Sequence, residues 1–203
     1  MSSGSQFDLK IDPFVHFERE LKKAETLNIK DFNAMSLATC GLNSGPSLRT
    51  VLFKGVVREG FSFYTNYGSQ KSQEMLANPK ASLLFFWTQL EQQIRIEGIV
   101  QKLTREESEK YFASRPRLSQ IGAWASTQSE IIPNAEYLAD KVRALEAKYH
   151  DQLIPCPPFW GGWHLLPLNI EFWFGRQGRL HDRYVYSRDS VSEKNWQTVM
   201  KSP

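Results

Sequence analysis

Cysteine is scarce in this chain. Its 203 residues hold two, Cys40 and Cys156, with no CxxC or Cys/His spacing. That argues against a disulfide framework or a zinc site and fits a reduced, cytoplasmic setting. Net charge is low as well: the formal value is +3, and no Lys/Arg block stands out. A nucleic-acid partner is therefore not expected. No apolar run is long enough to span a membrane, and Met1 to Phe7 lacks the apolar stretch of a signal peptide. GxGxxG, GxxxxGK and HExxH are all missing, so nothing points to a Rossmann site, a P-loop or a zincin. Repeats, low-complexity tracts and clear linkers are absent too. The expected organisation is a flexible N-terminal segment, 1–11, followed by one domain, 12–203.

What remains is the composition of a folded domain, 41% hydrophobic and 23% charged. Aromatics, at 13%, supply a core and suit flat-ligand pockets. Asp12-Pro13 followed by Phe14, Phe17 and Leu21 reads as a capped amphipathic helix. Strands are predicted at Asn33–Cys40, Ser47–Lys54, Phe61–Thr65, Ala81–Trp87 and Gln93–Leu103. Thr104-Arg105-Glu106-Glu107 forms a capping box. The helix it opens should stop near Ser114, before Pro116, which can start a second short helix. Another helix covers Glu136–Tyr149. Strands return at Gly161–Leu166, Ile170–Phe174 and Asp182–Tyr186. Early strands, central helices and late strands predict an α+β domain on a mainly antiparallel sheet or barrel.

Several segments have residue types that suit an anion. In an extended chain Arg179, His181 and Arg183 share one face, making either a ligand site or a solvated hairpin flank. Tyr111 and Arg115 are spaced i, i+4 at a helix end, with Ser119 opening the next helical piece. This is either a phosphate seat or an ordinary surface pair. Gly68-Ser69-Gln70-Lys71 opens a helix, with Ser69 as N-cap, and reads as a second phosphate seat or as plain capping. Arg49 and Lys54 fall on opposite faces of a strand under strict alternation, so serving one ligand would need a bulge, a twist or two subunits. Gln93 shares a face with Arg95 and Glu97, which read as an ion pair. Gln128-Ser129 in its polar loop carries no signal by itself.

The order of the motifs adds a resemblance. Arg49-Thr50-Val51-Leu52-Phe53-Lys54-Gly55, Phe63-Tyr64-Thr65-Asn66, Gln93-Ile94-Arg95-Ile96-Glu97-Gly98, Tyr111-Phe112-Ala113-Ser114-Arg115-Pro116, Ser119-Gln120-Ile121-Gly122-Ala123-Trp124, Trp160-Gly161-Gly162, Glu171-Phe172-Trp173 and Arg179-Leu180-His181-Asp182-Arg183 occur in sequence. Together they resemble the pyridoxine 5'-phosphate oxidase family, from about Asp12 to about Trp196. The resemblance implies an FMN-binding split β-barrel with flanking helices, assembled as a homodimer with FMN between the subunits. It implies FMN contacts at Arg49, Thr50, Val51, Leu52, Tyr64, Thr65, Lys71, Gln93, Gln128, Ser129, Trp173 and Arg183, and at Gln70, where the family usually has Arg. Substrate contacts would be Lys54, Tyr111, Arg115, Ser119, Arg179, Leu180 and His181, with Arg179 and His181 orienting the reacting end. The implied reaction oxidises pyridoxamine or pyridoxine 5'-phosphate to pyridoxal 5'-phosphate, with dioxygen as oxidant. Gln70 and the tail Met200-Lys201-Ser202-Pro203, which replaces the family's Arg-Leu-x-Pro, would weaken FMN binding or tail docking. They also suit an alternative, a non-catalytic paralogue that carries or senses pyridoxal phosphate or FMN. Another split-barrel flavin enzyme, such as a flavin reductase, need not carry the Tyr111-Arg115-Ser119 set.

Overall fold

The computed structural model describes residues 7–203. Asp12 caps the first helix, α1 (Pro13–Thr26), by accepting from the Phe14 amide, with Pro13 at the first helical position. The chain then alternates. In β1 (Ala34–Cys40), Met35, Leu37 and Thr39 are buried and their neighbours are not, as a strand with one face on a core requires. β2 (Pro46–Leu52) and β3 (Val56–Val57) follow. A two-residue turn at Arg58 and Glu59, both at positive φ, then leads into β4 (Gly60–Asn66). α2 (Gln70–Ala77), β5 (Lys80–Trp87) and β6 (Gln92–Lys102) come next. The helical middle holds α3 (Arg105–Ser114), α4 (Arg117–Ala125) and α5 (Ala135–Lys148). The capping box forms, with Glu107 N–H donating to Thr104 Oγ1 and Thr104 N–H donating to Glu107 Oε2. β7 (Trp160–Phe174), β8 (Asp182–Ser187) and β9 (Gln197–Lys201) close the chain.

All sheet pairings are antiparallel, in the order β2-β1-β5-β6-β7-β4-β3. β7 is long enough to serve two neighbours: residues 160–165 pair with β4 and residues 169–174 with β8, which in turn pairs with β9. Past β2 the chain folds onto β4, where Lys54 N–H donates to Ser62 C=O and Ser62 N–H donates to Gly55 C=O, both at 2.9 Å. This draws the ends of the sheet together into a split barrel.

The interior is aromatic. Phe17, Phe53, Phe61 and Phe85 meet edge to face or tilted, with ring centroids 4.8–6.0 Å apart, a geometry that adds to the roughly 1.5–3 kcal/mol from burying each ring. A second cluster of Phe112, Ile121, Tyr149, Ile154 and Trp160 holds the helices to the start of β7.

Four expectations change. Gly161–Leu166 and Ile170–Phe174 are one strand, not two: Glu97 pairs with Asn169 and Gly98 with Pro167, so a bulge takes up Leu168 and pairing continues past the proline. β9 was not predicted, and it docks the tail on β8, with Arg183 donating to Ser202 C=O at 3.1 Å. In the segment expected to be flexible, Phe7 stacks between His16 and Tyr184, and Ile11 C=O accepts from Tyr186 Oη. Residues 1–6 of that segment lie outside the described residues. Arg179 is not extended: Gln177–Arg179 is a single 3₁₀ turn with Gly178 and Arg179 at φ +66° and +63°, so the strand alternation expected for Arg179, His181 and Arg183 does not hold.

Candidate active site

One cleft of about 690 Å³ gathers most of the expected residues. Arg49, Thr50, Val51, Leu52 and Lys54 line it from β2 and the turn beyond, Tyr64 and Thr65 from β4, and Gln70 and Lys71 from the first turn of α2. Tyr111, Arg115 and Ser119 line it from the α3–α4 corner, and Gln128 and Ser129 from the loop after α4. Arg49 and Lys54 thus share a cleft within one chain. Alternation ends with β2 at Leu52, and Gly55, at φ +111°, turns the chain back so that Lys54 need not follow it.

The first seat lies at the start of α2. Ser69 occupies the N-cap position but does not cap; its hydroxyl donates to Asn66 C=O instead. The Gln70 amide is met by Ser129 Oγ at 3.2 Å, and Ser129 itself sits at φ +76°. Gln128 Oε1 accepts from Thr65 Oγ1 at 2.8 Å. The polar loop is thereby tied to the helix and to β4. Lys71 is 7% exposed, and among the described residues its ammonium donates only to Thr65 Oγ1 and Ser69 Oγ, at 3.2 and 3.3 Å. Burial, with Arg49 nearby, lowers its pKa to about 8 against the opposing pull of Glu74. Arg49 is anchored by Thr39, Ser47 and the Glu74 carboxylate.

The second seat is aromatic and cationic. Tyr64 and Tyr111 stack at 3.9 Å, and Trp160 lies parallel to Tyr64 at 5.5 Å. The Arg115 guanidinium sits 4.7 Å over Trp160. Among the described residues its buried Nη1 has no hydrogen-bond partner and the side chain makes no ion pair. Burial pulls its pKa down and pushes that of Tyr64 up to about 12. Gln120 Nε2 fixes the corner by donating to the Phe112 and Arg115 carbonyls at 3.1 and 3.0 Å.

Gln93, Trp173, Arg179, Leu180, His181 and Arg183 do not join this cleft. They sit together on the β6–β8 flank. Gln93 pairs with Trp173, and Trp173 with Arg183, on the sheet face opposite buried Ile94 and Phe172. The His181 ring lies 4.5 Å from Trp173, and its Nδ1 accepts from the Arg176 amide. Arg183 grips Glu171 through Nε and Nη2 at 3.1 and 2.9 Å. Arg95 pairs with both Glu97 and Glu171, at 3.5 and 3.1 Å.

Trp160 was missed as a site residue. Its signal was the Trp160-Gly161-Gly162 motif. A Cβ on Gly161 would come 2.1 Å from Tyr67 Oη, and one on Gly162 would come 2.8 Å from the Tyr64 ring, so the glycines let β7 pass close beneath the cleft. Glu74 and Thr39 were missed as well, being ordinary residues of an amphipathic helix and a strand when read alone.

An antiparallel split barrel with two cationic clusters in one cleft has the frame and the donors of a flavin-binding oxidoreductase. The donor set fits FMN: a buried cation at a helix start for a phosphate, and polar groups from β2, β4 and the Gln128-Ser129 loop around it. The pyridoxamine 5'-phosphate oxidase family model matches residues 21–149, and the pyridoxine 5'-phosphate oxidase C-terminal dimerisation region matches 160–203. A pyridoxine/pyridoxamine 5'-phosphate oxidase of Bdellovibrio bacteriovorus is 47% identical over 97% of this chain and 100% of its own. One of Burkholderia lata is 46% identical over 100% of this chain and 94% of its own. Among solved structures, PhzG of Burkholderia lata in complex with tetrahydrophenazine-1-carboxylic acid superposes with a TM-score of 0.88 at 30% identity, covering 95% of this chain and 93% of PhzG. The chain belongs to the pyridoxamine 5'-phosphate oxidase family, and its cofactor is FMN.

Proposed function

We propose that this chain oxidises pyridoxamine 5'-phosphate and pyridoxine 5'-phosphate to pyridoxal 5'-phosphate as a homodimer. The observation that carries the reading is a pair of buried or half-buried cations in one cleft, Lys71 and Arg115, neither ion-paired among the described residues. Two such seats suit two phosphates, one on the cofactor and one on the substrate. Lys71 and Arg49, with Thr65, Gln128 and Ser129 around them, hold the FMN phosphate. Lys54, Tyr111, Arg115 and Ser119 hold the substrate phosphate, and the Tyr64–Tyr111–Trp160 stack keeps water from one side. The chemistry that FMN supplies is acceptance of a hydride from C4', with dioxygen as final oxidant and hydrogen peroxide as product.

Arg179, Leu180 and His181 reach a substrate only if a second subunit brings its flank to this cleft, and they lie within the region matched as dimerisation region. In that arrangement Arg179 supplies a fixed positive charge beside the reacting carbon. His181, with Nδ1 already accepting, presents Nε2 as the donor of its neutral ring.

The test is anaerobic mixing of FMN-loaded protein with pyridoxamine 5'-phosphate. Flavin absorbance should bleach in the parent, and Arg179→Ala should bleach roughly tenfold or more slowly at saturating substrate with FMN still bound, since orientation acts mainly in the transition state. His181→Ala should be slowed less. A parent that binds both ligands yet never bleaches would favour the non-catalytic carrier. Bleaching by tetrahydrophenazine-1-carboxylic acid but not by pyridoxamine 5'-phosphate would move the substrate to the PhzG type.

A further inference from the structure

Glu74 is an anion built into a seat for anions. It lies on α2 one turn beyond Gln70, is 7% exposed, and accepts four side-chain hydrogen bonds. Thr39 Oγ1 and Ser47 Oγ donate to it at 2.5 Å, Gln70 Nε2 at 2.9 Å and Arg49 Nη2 at 3.2 Å. Burial alone would raise its pKa, but the donations from Ser47, Thr39, Gln70 and Arg49 outweigh burial and hold it at about 2. Four donors converging on one carboxylate keep it charged in the cofactor-free cleft. Arg49, besides meeting Glu74, donates through Nη1 to the Leu37 and Ser47 carbonyls at 3.1 and 3.3 Å. Its guanidinium cannot swing away from the carboxylate without giving up these bonds.

We propose that Glu74 sets the phosphate specificity of the cofactor seat: its fixed charge cancels one of the two positive charges of Arg49 and Lys71, and so reduces the preference of the cleft for a phosphorylated flavin over an unphosphorylated one. The inference rests on the reading that the FMN phosphate occupies the Arg49–Lys71 seat. Gln70 completes the device. It lines the cleft, gives Glu74 one neutral hydrogen bond, and leaves the carboxylate charge in place. A phosphate reaching Arg49 would lie within one or two side-chain widths of Glu74, where like charges repel strongly enough to change affinity by about tenfold or more. Glu74 need not touch the cofactor; it is a positioning and charge-setting residue that acts through Arg49 and Gln70.

Riboflavin, which is FMN without its phosphate, isolates the effect. FMN and riboflavin are titrated separately into the cofactor-free full chain at pH 6.5, where Lys71 is charged, following quenching of flavin fluorescence. Glu74→Gln keeps most of the hydrogen bonds and removes the charge. It should tighten FMN about tenfold and leave riboflavin within about twofold. Gln70→Arg, on the exposed first turn, should pair with Glu74 at i, i+4 and shift binding in the same direction. This second variant carries the test if Glu74→Gln does not fold. Tightening of FMN alone, in every variant that folds, is the expected result. Unchanged or weaker FMN binding in a parent that prefers FMN overturns the proposal, as does an equal change for both flavins, which would mark a merely structural role. A parent that binds FMN and riboflavin equally overturns the phosphate-seat reading itself, and the proposal falls with it.

Discussion

The cleft and the β6–β8 flank use the same residue types in opposite ways. On the flank three arginines each have an anion: Arg183 and Arg95 share Glu171, and Arg176 meets Asp182 at 2.7 Å. The Glu171 carboxylate raises the pKa of Arg183. In the cleft neither Lys71 nor Arg115 makes an ion pair among the described residues, although Glu74 lies near enough to pull on Lys71, and the pKa values of both are pulled down. A buried unpaired charge costs stability, so a fold keeps one where a ligand will repay it, whereas a paired one belongs to the framework. The resemblance alone would group Arg183 with the cofactor contacts. The structure adds that its guanidinium is already committed to Glu171, which makes it a rigid edge rather than a free hand.

The largest effect should come from the cleft. Arg115→Ala should raise KM for pyridoxamine 5'-phosphate roughly 10- to 100-fold, the range of a charge-assisted hydrogen bond to phosphate, while FMN affinity moves by less than about twofold. Steady-state kinetics with an unaltered KM would remove Arg115 from the substrate seat. The same substitution should leave urea stability unchanged or slightly higher, because it deletes a cation that no anion pairs.

The mirror experiment belongs to the flank. Glu171→Gln strands Arg183 and Arg95 together and should cost about 3 kcal/mol or less in urea unfolding, since breaking a buried pair leaves an uncompensated charge. Arg95 is partly exposed, which keeps the loss toward the low end. If Glu171→Gln proves neutral and Arg115→Ala destabilising, the contrast between framework charge and ligand charge is wrong.

Parts of the fold and of the cleft were legible in the sequence, for reasons specific to each part. Thr104 and Glu107 announced α3 because a capping box satisfies backbone amides locally, whatever surrounds it. Tyr111 and Arg115 could be placed on one face because helical spacing fixes it. The 3₁₀ turn at Gln177–Arg179 was not legible: a positive φ is uncommon for a residue other than glycine and has no signature in an arginine. β9 was hidden too, because all five of its residues are exposed and show no alternation; its pairing with β8 is tertiary. Glu74 was hidden because its partners Thr39 and Ser47 come from other strands, and nothing in the local sequence of α2 tells a buried carboxylate from a solvated one.

The smallest effect, and the finest test of the cleft side, is the proton on Lys71. In the cofactor-free cleft its pKa is lowered to about 8, chiefly by burial. A bound phosphate would hold the proton on, so the bound-state pKa lies higher. The sign follows by linkage: the form that binds the phosphate best is the protonated one, and it is lost from the free protein as pH rises through about 8. FMN affinity should therefore be flat from about pH 7 to 8 and fall by roughly tenfold by pH 9, one factor of ten per pH unit of lost protonation. Riboflavin, with no phosphate to pair, should show no such fall. Lys71→Arg should abolish the decline, since a guanidinium stays charged throughout this range. Fluorescence titrations at half-unit steps would measure all three. A parent curve as flat as that of Lys71→Arg would mean that Lys71 keeps its proton without a ligand, and that the cleft holds its cations as comfortably as the flank does.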